Sequence, residues 1–302
     1  MTQEEYLTIK PGDIPVPKFH HYLLGSVAPR PIAFASTIDK NDDVNLSPFS
    51  FFNVFGANPP IMIFSPARRG RDNTTKHTFE NVKEVKEVVI NIVNYAIAEQ
   101  MSLSSTEYDK GINEFIKSGL TPVKSDVVKP PRVGESPVAF ECKVNEIVET
   151  GSEGGAGNLI ICEVLKMHIK KSVLDENETI DPFKIDLVAR MGGNWYCRAN
   201  GDALFEIAKP LAKKGIGVDS LPDHVKNSTI LTGNDLGKLG NVEKLPAREI
   251  VEEFGKYDTE IISLREQHAD QPDEYRKFLH LLAQKYLGSN EVQEAWKTLL
   301  QK

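Results

Sequence analysis

Cysteine is scarce in this chain of 302 residues, which carries only three: Cys142, Cys162 and Cys197. Their number is odd and they form no CxxC motif, which argues against a disulfide framework and predicts reduced thiols of a cytoplasmic protein. A metal site has equally little support, because no second histidine or cysteine follows the pair His20 and His21 at ligand spacing. We therefore expect neither a disulfide-stapled domain nor a metal centre.

An excess of basic over acidic residues and long apolar runs are also lacking. Lys and Arg number 36 against 43 Asp and Glu, a net charge of -7, and such a chain has no basic excess with which to release phosphate counterions from nucleic acid. No window approaches the roughly 18 apolar residues of a membrane-spanning helix. No basic stretch followed by an apolar run, the mark of a secretory signal, opens the sequence. We expect a cytoplasmic protein that binds neither nucleic acid nor membrane.

Short hydroxyl side chains are abundant at residues 26–53. The alternation along residues 32–38 predicts a half-buried strand, and the turn formers at 39–43 predict the tip of a hairpin. A second strand would lead into a loop at 47–50, where Pro48 is expected to break strand pairing. Four hydroxyl side chains would then surround one concave spot with space for a flat ligand: those of Ser36, Thr37, Ser47 and Ser50.

Further strands follow this hairpin. The apolar runs at 61–65 and 88–93 predict two strands, the second buried on both faces. Alternation at 138–144 and 159–168, with a glycine-rich tip at 151–157, predicts a long hairpin. Several strands with short helices between them predict a small closed barrel with helical decoration.

The pattern changes near residue 201. Residues 204–208 predict the start of a helix, and 214–244, rich in Gly, Asn and Asp, predict an irregular connection. From Arg248 onward apolar residues recur at helical spacing, and we expect these stripes to pack against the barrel or a partner subunit. The chain therefore divides into two expected regions: a β-rich domain at 15–200 and a C-terminal helical extension at 201–302.

Four short motifs, in this order, resemble a known family: Arg30-Pro31-Ile32, Ser36-Thr37, Asn45-Leu46-Ser47-Pro48-Phe49-Ser50 and Asn58-Pro59-Pro60. Together they resemble the flavin reductase-like family of FMN-binding split β-barrels, which includes flavin and ferric reductases and flavoredoxins. The resemblance covers about residues 15–200. It implies a mainly β fold with helices, an FMN-binding split β-barrel ahead of the helical extension. It also implies a homodimer, in which a second chain covers the flat cofactor.

The resemblance implies that the FMN phosphate contacts the loop at 65–76. A phosphate needs positive charge and many donors, and this loop offers both. The family pattern, a basic residue followed by Asp and Thr, is offset by one residue here. A solvated basic loop is the alternative. The expected phosphate ligands are Arg71, Asp72, Thr74, Thr75 and Lys76.

The flavin ring is expected against the loop at 47–50 and the end of the first strand. The ring contacts would then come from Ser36, Thr37, Ser47, Pro48, Phe49 and Ser50. Ordinary turn capping is the alternative for these serines. Arg30, held extended between two prolines, is either a phosphate ligand or a structural ion-pair residue, with the structural role favoured.

Two later residues have roles that only the resemblance implies. His168 ends a predicted strand where family members carry a histidine near the nicotinamide, although a strand-end histidine is also common as partly exposed packing. Tyr196 follows Gly192 and Gly193, which allow close backbone approach, and would cover the flavin. Core or interface packing is the alternative for Tyr196 and its neighbour Trp195.

Three functions remain open. The first is an NAD(P)H-dependent oxidoreductase that passes electrons through FMN to free flavin, ferric iron or another acceptor; the cofactor performs the chemistry, so no catalytic triad is required. The second is a non-enzymatic FMN electron carrier that a partner protein reduces. The third is a split barrel that has lost flavin and binds another ligand. No GxGxxG motif follows a strand, but family reductases stack the nicotinamide on the flavin, so its absence does not exclude the enzyme.

Overall fold

The computed structural model describes residues 5–210 and 214–302, which divide into two compact units. The first unit ends at Phe205 and the second begins at Glu206, five residues beyond the expected boundary. The strands are β1 (Ala33–Ile38), β2 (Val44–Phe49), β3 (Phe52–Ala57), β4 (Pro60–Phe64), β5 (Glu87–Ile92), β6 (Pro122–Val123), β7 (Arg132–Val133), β8 (Val138–Glu149), β9 (Asn158–Ile169), β10 (Leu187–Arg190) and β11 (Tyr196–Ala199).

Helices of the first unit precede or connect these strands: α1 (Val16–Ser26), α2 (His77–Glu84), α3 (Ala98–Leu103), α4 (Glu114–Ser118) and α5 (Pro182–Ile185). The second unit is helical: α6 (Asp223–Lys226), α7 (Gly233–Gly240), α8 (Arg248–Tyr257), α9 (Thr259–Gln267), α10 (Pro272–Gly288) and α11 (Val292–Leu299). Across residues 5–210 and 214–302, no helix combines the length and apolarity needed to cross a membrane.

Seven antiparallel strands form the main sheet, in the order β2-β1-β5-β8-β9-β4-β3. Its two edge strands, β2 and β3, follow each other in the chain but do not pair, so the barrel stays open between them. The expected split barrel with helices is thereby confirmed. The long hairpin is confirmed too, as β8 and β9 pair along almost their whole length.

The first strand differs from its prediction, because β1 is buried on both faces rather than one. Ala33 and Ala35 face the barrel interior, where Phe79 and Val82 of α2 fill the space. Phe34 faces the opposite side, in a second apolar cluster. A half-buried pattern is therefore misleading here, because small and hydroxyl side chains of β1 are covered by helices rather than by water.

The expected loop at 47–50 is also wrong in part. Ser47, Pro48 and Phe49 belong to β2, where Pro48 pairs with Phe34 of β1. Pro48 does not break this pairing because β2 is an edge strand, where a missing N–H donor is tolerated. Only Ser50 and Phe51 form the bend that leads into β3.

The second unit is more regular than its sequence indicates. The irregular connection predicted at 214–244 contains α6 and α7, and Thr232 and Asp235 form a capping box at the start of α7. Helices α6 and α7 pack around Trp296, which is fully buried. The helix predicted at 204–208 is wrong, since these residues have no helical assignment.

Candidate cofactor-binding site

A cleft lies at the N-terminus of α2, between that helix, β2 and the connection from α3 to α4. We call it the α2 cleft. Its lining is almost entirely polar and consists of Asn45, Ser47, Arg69, Lys76, His77, Thr78, Ser104, Ser105, Thr106, Glu107, Tyr108 and Glu114. The first turn of a helix leaves backbone N–H groups without intrahelical partners, so this end of α2 favours an anion.

Three cationic side chains converge on the carboxylate of Glu107, which lines this cleft. Arg69 Nε donates to Glu107 Oε1 at 2.8 Å and Lys76 Nζ lies 3.2 Å from the same oxygen. Arg71 contacts Oε2. Hydrogen bonds from Arg69 and Lys76 lower the pKa of Glu107 to about 2, so the carboxylate is ionised at neutral pH.

The loop that carries these cations is held by the tip of the β8–β9 hairpin. The amide of Arg68 donates to Ala156 O at 2.9 Å, and the amide of Gly155 donates to Arg68 O at 3.0 Å. Asn73 Nδ2 donates to Ser152 O at 2.9 Å. The long hairpin therefore fixes the position of the basic loop.

A chain of buried hydrogen bonds lies beneath the cleft. Thr78 Oγ1 donates to Asn45 Oδ1 at 2.7 Å, and Asn45 Nδ2 donates to Glu114 Oε1 at 2.8 Å. Glu114 Oε2 accepts the backbone N–H of Leu46 at 2.9 Å. The N-cap residue of α2 is Lys76, which makes no side-chain capping hydrogen bond. The hydroxyl hydrogen of Thr78 is engaged by Asn45.

The structure brings part of the expected phosphate loop to this cleft. Lys76 lines it, and so does Ser47 from β2. The other expected ligands lie in the adjoining loop, where Thr74 donates its hydroxyl to Asp72 Oδ1 at 2.7 Å and Thr75 donates to Glu80 Oε1 at 2.8 Å. The bond from Thr74 lowers the pKa of Asp72 to about 2. Arg71, 68% exposed, is the outermost of the three cations.

Ser36 and Thr37 lie inside β1 and are fully buried. Thr37 Oγ1 accepts a hydrogen bond from Asn81 Nδ2 at 3.2 Å. Ser36 Oγ has no hydrogen-bond partner among the described residues. Neither side chain lines the α2 cleft, and the phenyl ring of Phe49 packs in the barrel core against Phe64.

Arg30 connects α1 to the barrel. Its guanidinium donates to the carbonyls of Leu24 at 2.6 Å, Val27 at 2.5 Å and Met191 at 2.9 Å. Its Nε lies 3.5 Å from Ser50 Oγ. The guanidinium is therefore engaged by backbone carbonyls, and Arg30 anchors α1 to the barrel.

His168 lies beside a second cavity of 480 Å³, which Arg132 and Lys170 also line. Its Nε2 lies 2.6 Å from Glu141 Oε1. Glu141 is fully buried and also accepts the backbone N–H groups of Asp126 and Val127, and these bonds lower its pKa against the opposing effect of burial. The carboxylate therefore fixes the orientation of the imidazole.

Asp126, Glu141 and His168 also place one ligand atom each within 4.8 Å of one another. The oxygens of Glu141 already accept backbone and imidazole hydrogen bonds, and Asp126 Oδ2 pairs with Lys166 Nζ at 2.5 Å. The cluster is therefore better explained as an ion-pair network than as a metal centre.

Tyr196, 40% exposed on β11, lies under the Arg190 guanidinium at 4.6 Å from the ring centroid.

Six lining residues were not expected as ligands from the sequence: Arg69, His77, Thr78, Asn45, Glu107 and Glu114. Lys76 directly precedes α2, and the N-terminus of a helix favours anions. No local signal identified Glu107, which lies 31 positions from Lys76.

Comparisons with known proteins identify the family of the first unit and agree with its split-barrel fold. The model of the flavin reductase like domain matches residues 24–184, more than half of the chain. The chain belongs to the flavin reductase-like family. An uncharacterised protein of Aquifex aeolicus is 39% identical over 185 residues, which cover 61% of this chain and 92% of that protein.

Two solved structures resemble the fold. Nitrilotriacetate monooxygenase component B from Bacillus cereus is 26% identical with a TM-score of 0.63, over 68% of this chain and 100% of that chain. A candidate flavin reductase with a split barrel domain from Shewanella frigidimarina is 29% identical with a TM-score of 0.56, over 65% of this chain and 94% of that chain. Family membership supports a flavin cofactor.

Proposed function

We propose that this chain is an FMN-binding flavoprotein that holds the cofactor's phosphate in the α2 cleft. The observation that carries the proposal is the convergence of Arg69, Arg71 and Lys76 at the N-terminus of a helix. Cationic side chains supply charge-assisted hydrogen bonds, and the free N–H groups of the first turn supply further donors. A phosphate monoester carries about two negative charges and three acceptor oxygens, which match this donor set.

The proposed ring position extends from the cleft along β2 toward the bend at Ser50. Ser47, whose side chain is small, lines the cleft. FMN would supply hydride acceptance and electron transfer when bound, and the protein would hold and orient it. We propose NAD(P)H as the reductant and free flavin, ferric iron or another acceptor as the oxidant, with His168 as a candidate contact of the nicotinamide.

A homodimer and a cytoplasmic location belong to the same proposal. Large apolar side chains are exposed along the bend and edge strand β3, among them Phe51, Val54 and Phe55, the last at 63% exposure. A second chain on this edge would cover them and the adjacent cofactor. Sedimentation of the wild-type protein should give a dimer, and Phe55→Glu should shift it toward monomer. A wild-type monomer would remove the dimer from the proposal.

The three unpaired cysteines agree with the proposed cytoplasmic location, which is a reducing compartment.

The test compares FMN with riboflavin, which lacks the phosphate. Arg69→Ala with Lys76→Ala should weaken FMN binding by about tenfold or more, since each charge-assisted bond contributes about 1.5–3 kcal/mol, and should leave riboflavin binding nearly unchanged. The matched control is Lys143→Ala with Lys171→Ala, which removes two exposed cations away from the cleft. Equal affinity of the unmodified protein for FMN and riboflavin would refute the phosphate assignment.

A second measurement addresses the enzyme. Oxidation of NADH or NADPH by the FMN-loaded protein, without any partner protein, is expected if the chain is an oxidoreductase. Binding of FMN with no such oxidation would favour the electron carrier instead.

A further inference from the structure

Glu107 lies where a bound phosphate would be expected. It belongs to the connection between α3 and α4, yet its carboxylate reaches into the basic end of the α2 cleft. One oxygen contacts Arg69 and Lys76, and the other contacts Arg71. The protein's own carboxylate therefore neutralises the cations that make this cleft suitable for an anion.

The space that remains beside Glu107 is small. The enclosed part of the cleft offers about 20 Å³, enough for about one water molecule, and the rest of the cleft is open to solvent. A phosphate group is larger than a water molecule and would need the same donors. A phosphate that binds Arg69 and Lys76 through these donors would therefore compete with the Glu107 carboxylate.

Contacts with the three cations hold the Glu107 carboxylate, and its surroundings are otherwise open. The residue lies outside helices and strands, and its side chain is 35% exposed. Its neighbours Ser105 and Thr106 are exposed as well. The described hydrogen bonds and ion pairs of its carboxylate are those with the three cations. Rotation of one side chain toward solvent would open the cleft.

We propose that Glu107 is an internal anion that holds the phosphate position in the ligand-free protein and that only a phosphate monoester dianion displaces it. This inference rests on the proposed function and deepens it. A carboxylate carries one negative charge, whereas the dianion carries up to two and a third acceptor oxygen. Glu107 therefore sets a threshold that a phosphorylated flavin passes and that a neutral or singly charged ligand does not.

This arrangement predicts that removal of the Glu107 charge strengthens the binding of FMN. Most substitutions in a binding site weaken binding. Removal of the Glu107 charge leaves the cations unpaired before binding, so the phosphate no longer competes with a resident anion. The affinity for FMN should therefore rise, and the affinity for riboflavin should not change.

The experiment measures FMN, riboflavin and inorganic phosphate binding by calorimetry in four proteins: the wild type, Glu107→Gln, Glu107→Asp and the matched control Glu99→Gln, which removes an exposed charge from α3. Glu107→Gln should bind FMN about tenfold more tightly, the factor that corresponds to one charge-assisted contact. Glu107→Asp retains the charge on a shorter side chain, and its affinity for FMN should lie between those of the wild type and Glu107→Gln. Glu99→Gln should match the wild type.

The outcomes separate this inference from the proposed function. Weaker or unchanged FMN binding by Glu107→Gln, in a protein whose wild type binds FMN, would overturn the inference alone, because Glu107 would then order the loop or stand apart from the phosphate. Absence of flavin binding in every variant would refute the proposed function. In that case tighter binding of inorganic phosphate by Glu107→Gln would still support the displaceable anion, and its absence would overturn it.

Discussion

Glu114 is a carboxyl group that the fold buries beside the α2 cleft. It is only 4% exposed, and burial raises its pKa above the ordinary value. Both oxygens accept hydrogen bonds, from Asn45 Nδ2 and from the backbone N–H of Leu46. These bonds favour the ionised form, but burial has the larger effect.

The raised pKa of Glu114 gives a prediction for stability against pH. The protonated form is favoured in the folded state, so its contribution is complete below the unfolded-state pKa and is lost as the pH rises through the folded-state value. Glu114→Gln should remove this loss: between about pH 4 and pH 8, a range that begins near the ordinary glutamate pKa, its free energy of unfolding should fall less than that of the wild type. The carbonyl of Gln accepts from Leu46, and its amide is satisfied if the Asn45 amide rotates by about half a turn.

Chemical denaturation across that pH range measures the effect, with Glu99→Gln as the control for loss of an exposed charge. An unchanged pH dependence in Glu114→Gln would mean that the carboxylate is fully compensated by its two donors.

Close approach of the β8–β9 hairpin to the basic loop is the main feature at the scale of elements. Gly154 at the hairpin tip is the critical position. A Cβ placed there would lie 3.1 Å from Arg69 O and 3.2 Å from Gly70 Cα. Because both neighbours are backbone atoms, the loop can relieve this contact only by moving as a segment.

Gly154→Ala should therefore weaken FMN binding through the loop. Overpacking costs about 1–3 kcal/mol, and displacement of Arg69 by the same clash should reduce FMN affinity by about tenfold. Gly151→Ala in the same tip is the control, because its Cβ would meet Ala156 at an ordinary 3.4 Å. Calorimetry with FMN and riboflavin measures the difference, and equal affinities in the two variants would show that the hairpin does not position the cations.

Most strands were predictable from sequence because their signals are local. The β8–β9 hairpin alternates along its length and carries a glycine-rich tip, and β5 is a β-branched run. Position in the sheet is not local, which explains the errors at β1 and Pro48. No single-chain pattern indicates that helices cover the outer side of β1, or that β2 lies at an edge where a proline is tolerated.

The helices α6 and α7 were missed for a related reason. Glycine and asparagine lower helix propensity, so the sequence at 214–244 predicts a loop. In the structure the capping box of Thr232 and Asp235 and the burial of Leu239 stabilise α7. Tertiary packing here outweighs intrinsic propensity.

At the scale of the whole molecule, the candidate site depends on contacts between distant segments. Arg69 and Glu107 lie 38 positions apart, and Asn45 and Glu114 lie 69 apart. The sequence identified the basic loop and the hydroxyl residues, which come from single segments. It could not place Glu107 or Glu114, because their positions follow from how α3 and α4 return across the barrel.

The two units have separate apolar cores, and this separation leads to a prediction about ligand binding. The first unit is organised by the barrel clusters around Phe34 and Phe64. The second is organised around Trp296, whose indole N–H donates to Leu239 O at 3.1 Å. A ligand bound to one unit leaves the stability of the other unchanged when the two units unfold independently.

FMN should therefore raise the unfolding temperature of the first unit and leave that of the second unchanged. At a concentration of about 100 times Kd the stabilisation is about 2.7 kcal/mol, which corresponds to a shift of roughly 5–10 °C for a unit of this size. Trp296 is fully buried and Trp195 is 77% exposed, so a Trp195→Phe variant gives an emission signal from the second unit alone. Release of bound FMN reports the first unit, and riboflavin at the same concentration serves as the comparison without the phosphate. If the units are independent, the unfolding temperature reported by Trp296 stays constant while the temperature of FMN release rises. If both temperatures rise together, the units unfold cooperatively and the helical extension contributes to the stability of the flavin site.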